Sequence, residues 1–327
     1  MPNTADQKML LYAFLRADSP EALPQYSQRL ARQLNQFVET DARRKTVARP
    51  GGWVETDIAR RMLLVIAKTI ELSSIGLIYS DAGRGKSLTL QAAAAIFPGS
   101  ILVRIVSGAT SPYGIASLLH NAAAVKGGKT CAMQQLVLRL IDHLRDSGRA
   151  VLIDEAHRLK PEALEVIRDV HDECGIPFIL AGTHRVNEMC SDVDLFFGQF
   201  TSRIALRYDV TEPARQSSNG SPCPSTTARH PLHSVDEIRR MYESDKVRFT
   251  ADGLDFLTSM ANTLGLGGLR LCTKLVMVAV QVAAAECATA IDAKLIRRVM
   301  RRLHGSDYTG HQIERVMKAD PAKVAVA

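Results

Sequence analysis

Aromatic residues are scarce: Phe, Tyr and Trp make up 5% of the 327-residue chain, and Trp53 is the only tryptophan. The core must therefore be built from aliphatic side chains, and the abundance of Ala and Leu favours a helix-rich fold. No stretch reaches the roughly 18–20 uninterrupted apolar residues of a membrane span. The best candidate, 275–285, is too short and reads as a buried helix. Cys131, Cys174, Cys190, Cys223, Cys272 and Cys287 are scattered without a Cys-x-x-Cys pair, which argues against a zinc site and against a disulfide framework. The first residues also lack the charged-then-apolar layout of a secretory signal, since Asp18 and Glu21 follow at once. A cytoplasmic protein with no membrane partner is expected.

A hydrophobic content of 46% beside 23% charged residues is that of an ordinary globular chain. At this length it accommodates a nucleotide-binding core plus small satellites. The formal net charge of +7 is compatible with a partner made of phosphates, without requiring one.

Residues 1–50 read as a helical appendage rich in base, with Arg43, Arg44, Lys45 and Arg49, closed by the loop Arg49-Pro50-Gly51-Gly52. From 51 to 212 short apolar strands alternate with helices. Strands are expected near 76–79, 100–106, 150–153, 176–181 and 202–208. Helices are expected at 57–69, 88–96, 112–124, 133–147 and 161–174. This alternation predicts an α/β fold, a parallel sheet sandwiched by helices. Residues 213–233 hold Pro213, Pro222, Pro224 and Pro231 among Ser, Thr and Asn, the composition of a flexible linker. Residues 234–305 read as helical throughout, a small all-helical domain, and 306–327 as a tail.

Two motifs carry chemistry. Ser80-Asp81-Ala82-Gly83-Arg84-Gly85-Lys86-Ser87 follows an apolar strand and opens a helix, the context of a phosphate-binding P-loop. Backbone N–H groups from Asp81 through Ala82, Gly83, Arg84 and Gly85 to Leu88 are expected to curl around the phosphates of ATP. Lys86 adds a point charge, and the Ser87 hydroxyl is a ligand for Mg²⁺. One departure stands out: Ser80 occupies the position of the pattern's first glycine. It is tolerated only if its backbone stays at negative φ. The second motif is Ala150-Val151-Leu152-Ile153-Asp154-Glu155, an apolar strand ending in two acids. Asp154 is expected to hold Mg²⁺, and Glu155 to orient and deprotonate the attacking water. Alone, either motif also fits a chance turn or a solvated strand end. Together they imply ATP binding and hydrolysis.

Beyond these motifs, the chain resembles the AAA+ ATPases, and within them the transposition-regulator branch of phage Mu B-like and transposon target-selection ATPases. The resemblance runs from about Trp53 to His304. It rests on the P-loop, Ile153-Asp154-Glu155-Ala156-His157-Arg158-Leu159, Pro177-Phe178-Ile179-Leu180-Ala181-Gly182-Thr183, Phe200-Thr201-Ser202-Arg203-Ile204 and the helical region, whose counterpart in the family is a lid. It implies that Thr183 is a polar sensor of the γ-phosphate, and that Arg203 is the arginine finger reaching a neighbouring subunit, with Arg207 as rival. Arg270 would be a second sensor, and Trp53 would flank the nucleotide base or serve as a packing anchor.

For DNA, the resemblance points to the loop Ser107–Ser111, with Thr110 and Ser111, and to the basic turn with Lys126 and Lys129. Each of these also fits a solvated loop. The helix bearing Arg297, Arg298, Arg301 and Arg302, with Leu295, Val299 and Leu303 opposite, fits DNA, an acidic partner or an exposed charged face. The expected function is ATP-dependent, sequence-nonspecific binding of double-stranded DNA. The protein would self-assemble into a ring or helical filament and recruit or regulate a transposase. The alternative is a protein-remodelling ATPase of a secretion or assembly system.

Overall fold

Val151–Asp154 and Phe178–Gly182 are apolar almost from end to end, and every position in both segments is buried. Such runs suit strands covered on both faces, and both lie inside a parallel sheet. A computed structural model describes residues 53–125, 132–191, 199–211, 231–245, 247–263 and 265–304. The expected appendage at 1–50, nearly all of the linker at 213–233 and the tail at 306–327 lie outside them, as do Lys126 and Lys129.

The described residues fall into two compact units. The first takes in Ala59–Ser80 and Gly85–Val210. Its strands are β1 (Ile75–Tyr79), β2 (Ile101–Arg104), β3 (Val151–Asp154), β4 (Phe178–Gly182) and β5 (Ile204–Asp209). All pair in parallel, in the order β2-β3-β4-β1-β5. Edge strand β5 leaves Ala205 and Arg207 exposed, whereas β3 and β4 expose nothing. The helices are α1 (Asp57–Glu71), α2 (Lys86–Ile96), α3 (Pro112–Ala122), α4 (Met133–Leu144), α5 (Pro161–Cys174) and α6 (His184–Met189).

Local chemistry sets these boundaries. Pro161 occupies the first turn of α5, where its missing N–H costs nothing, and Gly175 ends it in the left-handed region, donating to the His171 carbonyl at 2.8 Å. Ser111 caps α3, its hydroxyl accepting from Gly114 N–H at 3.2 Å. Gly76 lets α1 approach β1: a Cβ there would fall 2.3 Å from Thr69 Oγ1. The core is aliphatic, running from Ile75 and Leu77 through Leu140, Val151 and Ile153 to Ile167 and Leu180, with Phe178 and Phe200 as its aromatics.

The second unit includes the described residues of Val38–Ile58, the short segment Asp81–Arg84 and the described residues of Thr211–Ala327. It contains α7 (Val235–Tyr242), α8 (Ala251–Asn262), α9 (Gly268–Ala285) and α10 (Ala293–His304). Ser234 and Glu237 cap α7 reciprocally, a full capping box. Glu237 also accepts from Asp57 N–H at 2.7 Å. Burial pushes its carboxyl pKa up, but the His233 ring 3.5 Å away and hydrogen bonds from Asp57 and Ser234 N–H outweigh this and leave it lowered. Leu257, Met260, Leu275, Val276, Ile296 and Val299 form the core of this unit.

Among the described residues α9 alone has the length and apolar composition of a membrane span. It nevertheless carries Arg270 and Lys274 and buries Leu271, Cys272, Leu275, Val276 and Ala279 against its own unit. In α10, Leu295 and Val299 are buried as the pattern requires, but Leu303 is 44% exposed. The apolar stripe therefore stops one turn before the helix end.

Candidate active site

The strand order explains how motifs far apart in sequence meet. β3, β4 and β1 are adjacent, so their carboxyl ends bring Asp154 and Glu155, Thr183 and Ser80 to one edge of the sheet. Ligands of open α/β sheets bind at that edge.

Ser80 is fully buried and is not among the residues with positive φ, so the condition for a serine there is met. It also has a partner. Lys86 Nζ donates to the Ser80 carbonyl at 2.9 Å and to its hydroxyl at 2.8 Å. The side chain replacing the usual glycine thus holds the P-loop lysine. Gly85 takes φ +84 and caps α2 without a side-chain bond, at a helix N-terminus whose dipole favours an anion.

Asp81–Arg84 belongs to the helical unit. Gly83 sits at φ +83, and a Cβ on it would fall 1.9 Å from the Gly267 carbonyl oxygen and 3.4 Å from Arg270 Cβ. Gly83 O accepts from Leu269 N–H at 3.1 Å. Arg84 is 1% exposed: its guanidinium donates through Nη1 to the Ala261 carbonyl and through Nη2 to the Thr263 carbonyl at 3.0 Å. Burial lowers its pKa, opposed by Asp81 and then Cys272. Of Arg84, then, only the backbone is left for a phosphate. Arg270 lies in the first turn of α9, exposed, and Trp53 precedes α1, half-buried.

Asp154 ends β3 and is 6% exposed, its Oδ1 accepting from Glu155 N–H at 2.9 Å. Glu155 follows at φ +59, a left-handed conformation uncommon outside glycine. Its Oε1 lies 3.7 Å from Arg104 Nη2, and its Oε2 lies 3.3 Å from Arg158 Nε and 3.6 Å from His157 Nε2. Thr183 follows β4; its hydroxyl does not cap α6, and its N–H donates to His157 Nδ1 at 3.4 Å.

Arg203, just before β5, is paired with Asp172 of α5. Its rival Arg207 donates to Asn187, Ser191 and the Cys190 carbonyl. Both finger candidates therefore have partners inside their own chain. In the segment between β2 and α3, Thr110 O accepts from Lys160 N–H at 2.9 Å, and the Ser111 hydroxyl is the α3 cap described above.

Residues 70–190 match the family described as AAA domain. The chain is also 28% identical over 176 residues to the Mu-like prophage FluMu DNA transposition protein B of Haemophilus influenzae, an alignment covering 52% of this chain and 55% of that protein. The chain is thus similar to the AAA domain family over residues 70–190 and, over about half its length, to a DNA transposition protein B. It spans about half the length of the curated relative that it matches. Among solved structures, the chain is similar to Cdc6p from Pyrobaculum aerophilum, at 15% identity and TM-score 0.50 over 88% of this chain and 70% of that one. It is similar too to the Aeropyrum pernix ORC2 protein in its ADP form, at 17% identity and TM-score 0.50 over 74% and 66%. At such identities the likeness is one of fold, a parallel P-loop sheet with flanking helices.

Three partners of the candidate site residues carry no expectation from sequence: Arg104 and His157 beside Glu155, and Asp172 beside Arg203. His157 stands inside the same Asp-Glu-Ala-His stretch as Glu155, so its proximity was available to inspection. Arg104 was not, because only the pairing of β2 with β3 sets it opposite Asp154.

Proposed function

We propose that this chain binds ATP with Mg²⁺, hydrolyses it to ADP and phosphate, and uses that cycle to assemble on and leave double-stranded DNA in the cytoplasm. The observation carrying the reading is the convergence of Lys86, Asp154, Glu155 and Thr183 on adjacent strand ends of one sheet edge. The donor set suits the ligands. Gly85 at positive φ opens α2, whose N-terminal dipole suits phosphate oxygens, and the Ser87 hydroxyl and Asp154 carboxylate are hard oxygen ligands for Mg²⁺. When bound, Mg²⁺ neutralises charge on the phosphate oxygens.

The protein's own groups divide the work. Lys86, held by Ser80, faces the phosphates; Thr183 contacts the γ-phosphate or the attacking water. Glu155 takes a proton from that water as its oxygen bonds to phosphorus and the bond to the ADP oxygen breaks. Arg203 of a neighbouring copy stabilises the departing charge, which makes turnover depend on assembly. Trp53 flanks the base, and Arg270 senses the phosphates. The backbone of Asp81, Ala82, Gly83, Arg84, Gly85 and Leu88 completes the cradle.

Thr110, Ser111, Lys126 and Lys129 contact DNA phosphates without reading bases, and the ring or filament so formed presents the duplex to a transposase. The FluMu relative is a DNA transposition protein by name, which favours this partner.

The test is binding to a fluorescent random-sequence duplex with ATP, with ADP and with Lys86→Ala, over a salt series. ATP-dependent binding that the substitution abolishes, and that falls steeply with salt, is expected. Binding indifferent to nucleotide and salt rejects the reading. No DNA binding in any state moves it to a protein-remodelling ATPase.

A further inference from the structure

The Glu155 carboxylate is approached by three basic side chains, and one of them also touches the end of the neighbouring strand. His157 places Nε2 3.6 Å from Glu155 Oε2, while its Nδ1 accepts the Thr183 backbone N–H at 3.4 Å. A neutral imidazole that accepts at Nδ1 carries its proton on Nε2, so the donor of the ring is the atom aimed at Glu155. A separation of 3.6 Å exceeds a direct hydrogen bond, and catalytic contacts of this kind tighten in the substrate complex.

Gly182 makes room for the ring. A Cβ there would fall 3.2 Å from His157 Nδ1 and 3.0 Å from its backbone nitrogen. Gly182 is not among the positive-φ glycines, so clearance for His157 is what the absent side chain supplies. The surroundings of the ring lower its pKa on balance. Burial lowers its pKa and Glu155 raises it, while Arg158, Lys86 and Arg185 lower it further.

We propose that His157 is a positioning residue for hydrolysis, its imidazole tying the Thr183 backbone to the Glu155 carboxylate so that the carboxylate is held ready for the attacking water. The ring exchanges no proton during the step; it keeps Nε2–H on Oε2 while Glu155 accepts the water proton. This inference rests on the reading of Glu155 as the base.

The experiment compares the full-length protein with His157→Ala, His157→Asn, His157→Gln, Gly182→Ala and Glu155→Gln. It measures kcat and KM for ATP hydrolysis, with equilibrium binding of a fluorescent ATP analogue alongside. His157→Ala is expected to lower kcat about tenfold or more, leaving KM and analogue affinity within about twofold. The asparagine amide oxygen replaces only the acceptor facing Thr183, and the glutamine amide only the donor facing Glu155; each restores part of kcat. Gly182→Ala, which displaces the ring without removing it, lowers kcat in the same direction. Unchanged kcat in His157→Ala overturns the inference, as does a loss of kcat matched by lost analogue binding. Turnover in Glu155→Gln equal to wild type overturns the base itself and, with it, this inference, a result that the His157 variants alone do not produce.

Discussion

Arg203 and Asp172 form a two-pronged ion pair, Nε 3.0 Å from Oδ1 and Nη2 3.0 Å from Oδ2. The third guanidinium nitrogen donates to the Gln199 carbonyl and the Ser202 hydroxyl, each at 2.8 Å. An arginine so engaged must leave Asp172 before it can serve a neighbouring copy. The pair is about one-third exposed, so its net contribution is about 1 kcal/mol or less and the release is easy. We predict that Arg203→Ala lowers assembly-dependent hydrolysis by about 10³-fold while leaving nucleotide affinity within about twofold. We predict that Asp172→Asn shifts the onset of turnover to lower protein concentration. ATPase rate against protein concentration checks both. Concentration-independent turnover in the wild type removes the finger role.

The same pair gives an acid signature. The hydrogen bond from Arg203 holds the Asp172 carboxyl below its ordinary value of 3.8, and the Thr250 hydroxyl followed by backbone N–H groups does the same for Asp252. A carboxyl depressed in the folded state contributes stability above its unfolded value and loses it as pH falls through the folded one. Urea midpoints should therefore hold steady above about pH 5 and decline below pH 3.8. Asp252→Asn should flatten that decline. An identical acid limb in the variant rejects the assignment.

Gly83→Ala should destabilise the protein by at least about 2 kcal/mol, since it combines a positive φ with a clash on the Gly267 carbonyl. Gly108→Ala is the control: its Cβ would meet nothing within 4 Å, and the change should stay within about 0.5 kcal/mol. Chemical denaturation of the two variants decides, and equal midpoints would falsify the packing of Gly83 on the turn at Gly267.

Ser80→Ala removes a hydroxyl acceptor of Lys86 and should cost about 1 kcal/mol, seen as a several-fold weaker ATP affinity or an equal loss of stability. Calorimetric titration with an ATP analogue, read beside a urea melt, separates the two. No change in either means that the hydroxyl merely fills space.

Patterns within one segment were legible in the sequence; pairings across segments were not. The apolar runs at β3 and β4, the Pro161–Cys174 helix and the P-loop each follow from local periodicity and turn chemistry. Strand ends moved by up to two residues, because a parallel strand stops where its ladder partners stop. β2 ends at Arg104, opposite Asp154, although apolar residues continue to Val106. The short helix His184–Met189 carries no sequence signal, six residues being too few for a helical period. The site shows the same division. Lys86 and Glu155 announce themselves by motif, whereas the partner of Arg84 lies 177 residues away, and that of Arg203, Asp172, is one acid among several on its helix with nothing to single it out.

Glu155 has a thermodynamic cost of its own. A side chain held at φ +59 gives up about 1 kcal/mol that glycine at the same position would not. Glu155→Gly should therefore melt at a higher temperature than the parent while losing turnover, and Glu155→Asn should fall between. The acid stands against the folding preference of its own backbone. Copies of this chain freed from any need to hydrolyse nucleotide would be expected to drift there first, toward the residues that a left-handed turn accepts.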